Sequence, residues 1–278
     1  MSLYNPQTLE VESAQRDHLW PQISSLPYFR GLLRAVEARF YENLELPAPA
    51  LDLGCGDGHF ASLAFGRQLE VGLDPWEGPL REAEKRGTYK KTIQTDAHSI
   101  PYPDAYFASA VSNSVLEQIP DLEPVLNELA RVLQPGAPFI FCVPNQRFLP
   151  TLAIGRFFDR IHLHGLANLY RRFFNRISRH HHCDDQVTWQ ARLNRAGFEV
   201  IHAWAYFSPH AQHILEWGHY FGLPSLVSHR LFRRWIIAPW KWNLFLTSLV
   251  TRSAYNEPPV QERGVYTFYI ARRIKDQS

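Results

Sequence analysis

The stretch ALDLGCGDGHFA (50–61) most constrains what this chain can fold into. An apolar run ends in three glycines, Gly54, Gly56 and Gly58, and a helical pattern follows, which reads as buried strand, tight turn and helix. The same alternation continues downstream. Strands are expected at 49–54, 69–75, 90–96, 106–115 and 137–144, with helices at 78–87 and 121–136, the latter starting at an N-cap Asp121 and stopping at Pro135-Gly136. A helix with Asp184 or Asp185 as N-cap and Gly197 as its stop, a strand at 199–207 and a last strand at 264–274 complete the pattern. Strands alternating with helices predict an α/β fold, a doubly wound, mostly parallel sheet with helices on both faces. A ligand is then expected at the carboxyl ends of the strands, beside the glycine turn.

The 278 residues suffice for one elaborated domain. We expect a single domain over 1–278. Its core is 45–145, 185–207 and 264–274, a helix over 27–44 precedes it, and two insertions interrupt it at 145–185 and 208–263. The first insertion reads as irregular and arginine-rich. Cys55, Cys142 and Cys183 stand far apart, which points to reduced thiols, no zinc motif and a cytoplasmic protein. The first twenty residues lack the pattern of a secretory leader, and no run of about 18 apolar residues predicts a membrane span. The net charge of +2 conceals a division. Residues 1–146 hold 11 basic and 19 acidic side chains, whereas 147–256 hold 14 basic and 5 acidic ones, so an anionic partner would favour the second region.

The charges around the glycines restrict the ligand. A dinucleotide loop reads G-x-G-x-x-G and offers N–H groups to a pyrophosphate. Here the spacing is G-x-G-x-G, with Asp52 before the turn and Asp57 within it. A carboxylate about 4 Å from a phosphate would cost on the order of 4 kcal/mol at an effective dielectric near 20. A cationic ligand suits the loop better. S-adenosylmethionine carries an ammonium and a sulfonium for the carboxylates, and a carboxylate for N–H groups at a helix start. Asp74, ending the second strand, can accept both ribose hydroxyls. Asp96, after the third, can accept from the adenine amino group.

The segments LDLGCGDGHFA, VGLDP, QTDAHSIPYPDAYF, SNSVLEQIPDLEPVLNELARVLQPGAPFIFCVPN and RAGFEV together resemble a class I S-adenosylmethionine-dependent methyltransferase, of the branch containing ubiquinone/menaquinone-biosynthesis enzymes. The resemblance covers roughly 47–145, with echoes at 185–207 and 264–274. It implies a Rossmann-like seven-stranded sheet whose last strand runs antiparallel. It also implies a cofactor set of Asp52, Gly54, Cys55, Gly56, Asp74, Pro75, Asp96, Ala97 and Asn113. Asp52, Gly54 and Gly56 hold the amino-acid end, Asp74 the ribose, and Asp96 and Ala97 the adenine, while Asn113 lines the methyl-donor pocket. One departure is Ala108, which follows Phe107 where the family usually has Asp.

Methyl transfer from a sulfonium needs alignment and exclusion of water, and needs a base only when the acceptor must lose a proton. In RHHHCDD, His180 is the candidate base, set against the simpler reading that one of these histidines packs or caps and the others face solvent. Glu117 reads as a surface helix residue, and His98 as a group that caps or stacks near the cofactor. No metal is called for.

The two insertions are expected to hold the acceptor, a small molecule that could be lipid-like, isoprenoid or lipid-linked. The first carries Arg147, Arg156, Arg160, Arg171, Arg172, Arg176 and Arg179 against the single acid Asp159 before residue 180. The second has no Asp or Glu between Trp217 and Asn256 and interleaves Trp235, Trp240 and Trp242 with Arg233, Arg234 and Lys241. Residues 226–252 fit an interfacial segment on an anionic membrane, or a cap whose tryptophans are packed core. A methyltransferase for a soluble anionic metabolite and a cofactor-binding protein without turnover remain as alternatives. Nucleic acid is disfavoured, since SNSV (112–115) stands where a base-methylating N/D-P-P-Y motif would be.

Overall fold

The structure is a computed structural model describing residues 16–42, 44–232 and 234–274. The leader reading of the first residues lies largely outside these, as does Arg233. In chain order the elements are α1 (Leu19–Ile23), α2 (Tyr28–Tyr41), β1 (Ala50–Leu53), α3 (His59–Ala64), β2 (Leu69–Asp74), α4 (Glu77–Arg86), β3 (Tyr89–Gln94), β4 (Ser109–Asn113), a 3-10 turn (Leu116–Gln118), α5 (Leu122–Val132) and β5 (Pro138–Pro144). Then come α6 (Phe148–Thr151), α7 (Ala153–Arg160), α8 (His164–Ser178), α9 (Gln186–Arg195), β6 (Phe198–Tyr206), α10 (Pro209–Phe221), α11 (Leu223–Phe232), α12 (Phe245–Tyr255) and β7 (Tyr266–Arg273).

The seven strands form one sheet in the order β3-β2-β1-β4-β5-β7-β6. The pairs among β1 to β5 are parallel, while β7 runs antiparallel to β5. β1 lies inside the sheet between β2 and β4 and is buried along its whole length, which suits its apolar Ala50, Leu51 and Leu53 and takes Asp52 out of water with them. The order reverses between β1 and β4, so the glycine turn leaves the sheet at the switch point.

Two compact units make up the chain. One comprises the segment before residue 45 with 149–173 and 205–265, and the other 45–148, 174–204 and the segment from 266 on. In the second unit the core is built on Phe141, which stacks on Tyr269 at 4.7 Å and touches Trp189 at 5.3 Å. α5 lays Leu122, Val125, Leu126 and Leu129 against this core at helical spacing. Asp121 occupies its N-cap position but makes no side-chain capping bond, leaving only its charge to favour the helix start. Asp185 does cap α9, accepting the Thr188 N–H, and Gly197 follows that helix with φ +82°. At Ala108, the departure noted above, the backbone is held by an N–H donated to Pro49 O at 2.9 Å.

The opposite edge of α5 organises the loop after β3. Glu128 accepts the Ile100 N–H at 2.7 Å, and Arg131 donates to Glu128, to Asp104 and to the carbonyls of Ile100 and Tyr102. The Arg131 hydrogen bonds hold the Glu128 carboxyl below its ordinary value of 4.5. A carboxyl whose folded pKa is depressed contributes stability above its unfolded pKa and loses it as pH falls through the folded pKa. Urea midpoints of the protein and of Glu128→Gln should therefore differ most above pH 4.5 and converge on acidification. A constant gap would mean that the charge of Glu128 is not what stabilises the loop.

The first insertion is helical rather than irregular. Leu166, Leu169, Tyr170, Phe173, Phe174 and Ile177 recur with a helix period that the density of arginines obscures. In the first unit Glu216 of α10 is fully buried and accepts the N–H groups of Ala153 and Ile154 at the start of α7, together with the Tyr170 hydroxyl at 2.6 Å. Tyr220 donates to Tyr170 at 2.9 Å, so this carboxylate and two phenols tie α7, α8 and α10 together.

Candidate functional site

The site begins with the turn after β1. Gly54 and Cys55 both donate to Leu73 O at 2.8 Å, which folds the turn against the end of β2. Gly54, Gly56 and Gly58 have φ of +79°, +53° and +70°, and Gly58 leads directly into α3. A Cβ on Gly54 would stand 2.4 Å from the Val115 side chain, so this glycine is required by close approach of the turn after β4. A Cβ on Gly56 would meet nothing within 4 Å. The turn thus presents open space at Gly56, with backbone free to approach a ligand.

Two buried carboxylates lie beside this turn. Asp74 accepts the Gly56 N–H at 2.9 Å through one oxygen and the Trp76 N–H at 3.0 Å through the other. Burial raises its carboxyl above the usual aspartate range, as expected where the charged form loses hydration and a cation would restore the balance. Asp52 is buried and accepts the Tyr89 hydroxyl at 2.6 Å, and burial beside this carboxylate pushes the phenol's pKa up. Asp57 turns outward, 3.5 Å from Arg86, and accepts the His59 N–H. Burial, then Asp52 and Asp74, push the pKa of the Cys55 thiol up, which disfavours its nucleophilic thiolate form.

The other expected cofactor residues are spread over the carboxyl ends of β2, β3 and β4. Pro75 is exposed at the end of β2. Asp96 lies two residues beyond β3 with its side chain 70% exposed, accepting the His98 N–H at 3.1 Å. Ala97 is buried at φ +68°, a conformation that an L-residue adopts only where its surroundings hold it. Asn113 ends β4 and its Oδ1 accepts from the Cys142 thiol at 3.1 Å. Trp76 was not singled out in the sequence. It directly follows Asp74-Pro75 and is 65% exposed, an aromatic face at the end of β2.

The three histidines diverge. His182 is held by Ile119 O at 2.9 Å and lies 3.6 Å from Asp184, while His181 is exposed and anchored through its backbone to Glu117 O. His180 is half-buried, its ring edge-on to Phe148 at 4.8 Å and its Nδ1 3.7 Å from the Cys183 sulfur. Glu117, expected at the surface, is instead 1% exposed, because the turn after β4 folds beneath the 181–182 backbone. Glu117 follows Val115, the neighbour of Gly54, by two residues. The 180–183 segment is therefore linked through this turn to the same carboxyl edge as the glycine loop. Among the described residues no group of three or more His, Cys, Asp or Glu could hold a metal ion.

Comparison with known proteins agrees with this geometry. Residues 51–141 match a family model described as a methyltransferase domain. Trans-aconitate 2-methyltransferase of Methylobacterium nodulans is 37% identical over 114 residues, 39% of this chain and 43% of that protein. A 2-phytyl-1,4-naphtoquinone methyltransferase of Synechococcus elongatus is 32% identical over 123 residues, 41% of this chain and 52% of the relative. The chain thus spans about half the length of the curated relatives it matches. A solved S-adenosylmethionine-dependent methyltransferase of Thermotoga maritima shares the fold with a TM-score of 0.53 at 16% identity, covering 89% of this chain and 91% of its own. The glycine turn at the switch point and the two buried carboxylates beside it lie within residues 51–141, the stretch of this chain that matches a methyltransferase domain, and the fold around them is that of the solved methyltransferase.

Proposed function

We propose that this protein transfers a methyl group from S-adenosylmethionine to a lipid-like, quinone-type small molecule and works in the cytoplasm at a membrane surface. The observation that carries the cofactor assignment is the open space at Gly56, bounded by the buried carboxylate of Asp74. Asp52, Gly54, Cys55 and Gly56 would hold the amino-acid end, Asp74 and Pro75 the ribose, and Asp96 and Ala97 the adenine, with Trp76 as a stacking face. Asn113 would line the methyl-donor end. The cofactor supplies a methyl group already activated on sulfur. The chain's own part is to align the acceptor, exclude water and, for a hydroxyl acceptor, take its proton.

His180 is the residue we assign to that proton, since it is half-buried on the 180–183 segment. His180→Ala should lower kcat at least tenfold around pH 7, with the loss shrinking at high pH as the acceptor ionises unaided, and should leave cofactor affinity unchanged. Full turnover from pH 6 to 9 would remove His180 from the mechanism. The acceptor class rests on the naphthoquinone-methylating relative and on the apolar surface described below. A second reading, a soluble carboxylate acceptor, is favoured by the trans-aconitate relative and by the arginines of the first insertion. Incubation with methyl-labelled cofactor and either membrane lipid extract or aqueous metabolite extract separates them. Label entering the organic phase supports the first, label in acidic metabolites the second, and binding without label in either leaves a cofactor-binding protein.

A further inference from the structure

Helices of a globular domain normally turn their apolar stripe inward. Two helices of the second insertion reverse this. α12 packs through Thr251, Ala254 and Tyr255, so that Phe245, Leu246, Leu249 and Val250 are exposed. α11 buries no side chain at all, and exposes Leu226, Val227, Leu231 and Phe232. Between them Trp240 and Trp242 stack on each other with ring centres 5.8 Å apart, yet are 58% and 74% exposed. Of the expected packed-core tryptophans only Trp235 has substantial cover, lying flat on His229 at 4.1 Å. The first insertion exposes apolar residues as well. On α8 Leu166, Leu169 and Phe173 face outward at i, i+3 and i+7, and Tyr170 beside them meets Tyr220, which in turn contacts the half-exposed Trp217. Apolar side chains exposed singly are ordinary, whereas these are grouped along short stretches of chain, the pattern of a surface that meets a partner.

We propose that the exposed residues of 226–252 dock on an anionic phospholipid leaflet, the apolar side chains entering the headgroup boundary and the basic ones pairing with lipid phosphates. Charge complementarity selects that occupant. No carboxylate interrupts the sequence between Trp217 and Asn256, while Arg230, Arg234 and Lys241 are exposed among the apolar residues. Tryptophans with lysine and arginine suit the interface between headgroup and acyl chain. No helix among the described residues is long and apolar enough to cross a membrane, so the contact is with one leaflet. The inference rests on the membrane-surface reading proposed above, which it specifies, and stands apart from the residues of the cofactor site.

The test is co-sedimentation with phosphatidylcholine vesicles, with and without 30 mol% phosphatidylglycerol, alongside S-adenosylmethionine affinity by calorimetry. The protein should partition at least tenfold more strongly onto the anionic vesicles, and lose that excess as salt shortens the Debye length. Trp242→Ser and Leu246→Ser should each weaken binding by roughly tenfold or more, from lost apolar insertion. Arg230→Gln with Lys241→Gln should weaken it on anionic vesicles alone, by about fivefold per charge. Cofactor affinity should not move in any variant, which separates failure of docking from failure of the fold or of the methyltransferase reading. Absence of binding to anionic vesicles at low salt overturns the proposal. So does binding indifferent to Trp242 and Leu246, or a dimer that the same variants dissociate while vesicles stay unbound.

Discussion

Gly54→Ala is expected to destabilise the protein by about 2–5 kcal/mol, lowering its melting temperature on the order of 10 °C and removing cofactor binding with the turn. An L-residue at φ +79° costs about 1–2 kcal/mol. The new methyl would also sit 2.4 Å from Val115, where overpacking costs about 1–3 kcal/mol more. Thermal melts of two companions separate these contributions. Adding Val115→Ala should return part of the loss, since it removes the clash and leaves the backbone strain. Gly56→Ala should cost only the strain, because nothing lies within 4 Å of its Cβ. If that space is where the cofactor lies, Gly56→Ala should nonetheless lose affinity severely. A Gly54→Ala protein that melts like the parent would mean that the turn does not pack on Val115.

Asp74→Ala should weaken S-adenosylmethionine binding by about 2–4 kcal/mol, roughly 30- to 1000-fold in Kd, through lost hydrogen bonds to a charged acceptor. Two losses are combined there. The carboxylate holds the Gly56 and Trp76 N–H groups, and in the proposed pose also takes the ribose hydroxyls. Calorimetry with a cofactor analogue lacking one ribose hydroxyl distinguishes them. The parent protein should discriminate against the analogue, and Asp74→Ala should bind both equally weakly. Because burial raises the Asp74 carboxyl above its usual value of 3.8, affinity should also begin to fall at a higher pH than for an ordinary aspartate. Undiminished affinity in the variant would displace the ribose from Asp74.

Much of the fold was legible because strand and helix periods differ and glycines and prolines punctuate them. The 49–54, 69–75 and 137–144 segments became β1, β2 and β5 within a residue or two, and the antiparallel seventh strand followed from the family likeness. The 145–185 insertion was misread as irregular because arginines on the exposed side of α8 mask a stripe that faces water as well. Asp52, Asp74 and the three glycines could be picked out by charge and spacing alone. Trp76 could have been found too, as an aromatic directly after the Asp-Pro that ends β2. Glu117 could not, since its burial depends on a backbone segment more than sixty residues later folding over it.

The sequence by itself determined the alternating α/β order, the glycine turn and the sign of the ligand charge it tolerates, because these depend on residues close together in the chain. Only the tertiary structure decided which of those glycines is pressed by a neighbour and which faces open space. It alone showed that the three adjacent histidines have different surroundings, and that Trp240 and Trp242, between α11 and α12, are largely uncovered. Exposure belongs to the packed molecule. A run of leucines, tryptophans and arginines reads the same in sequence whether it closes a core or faces a membrane, and only the position of the remaining chain distinguishes them.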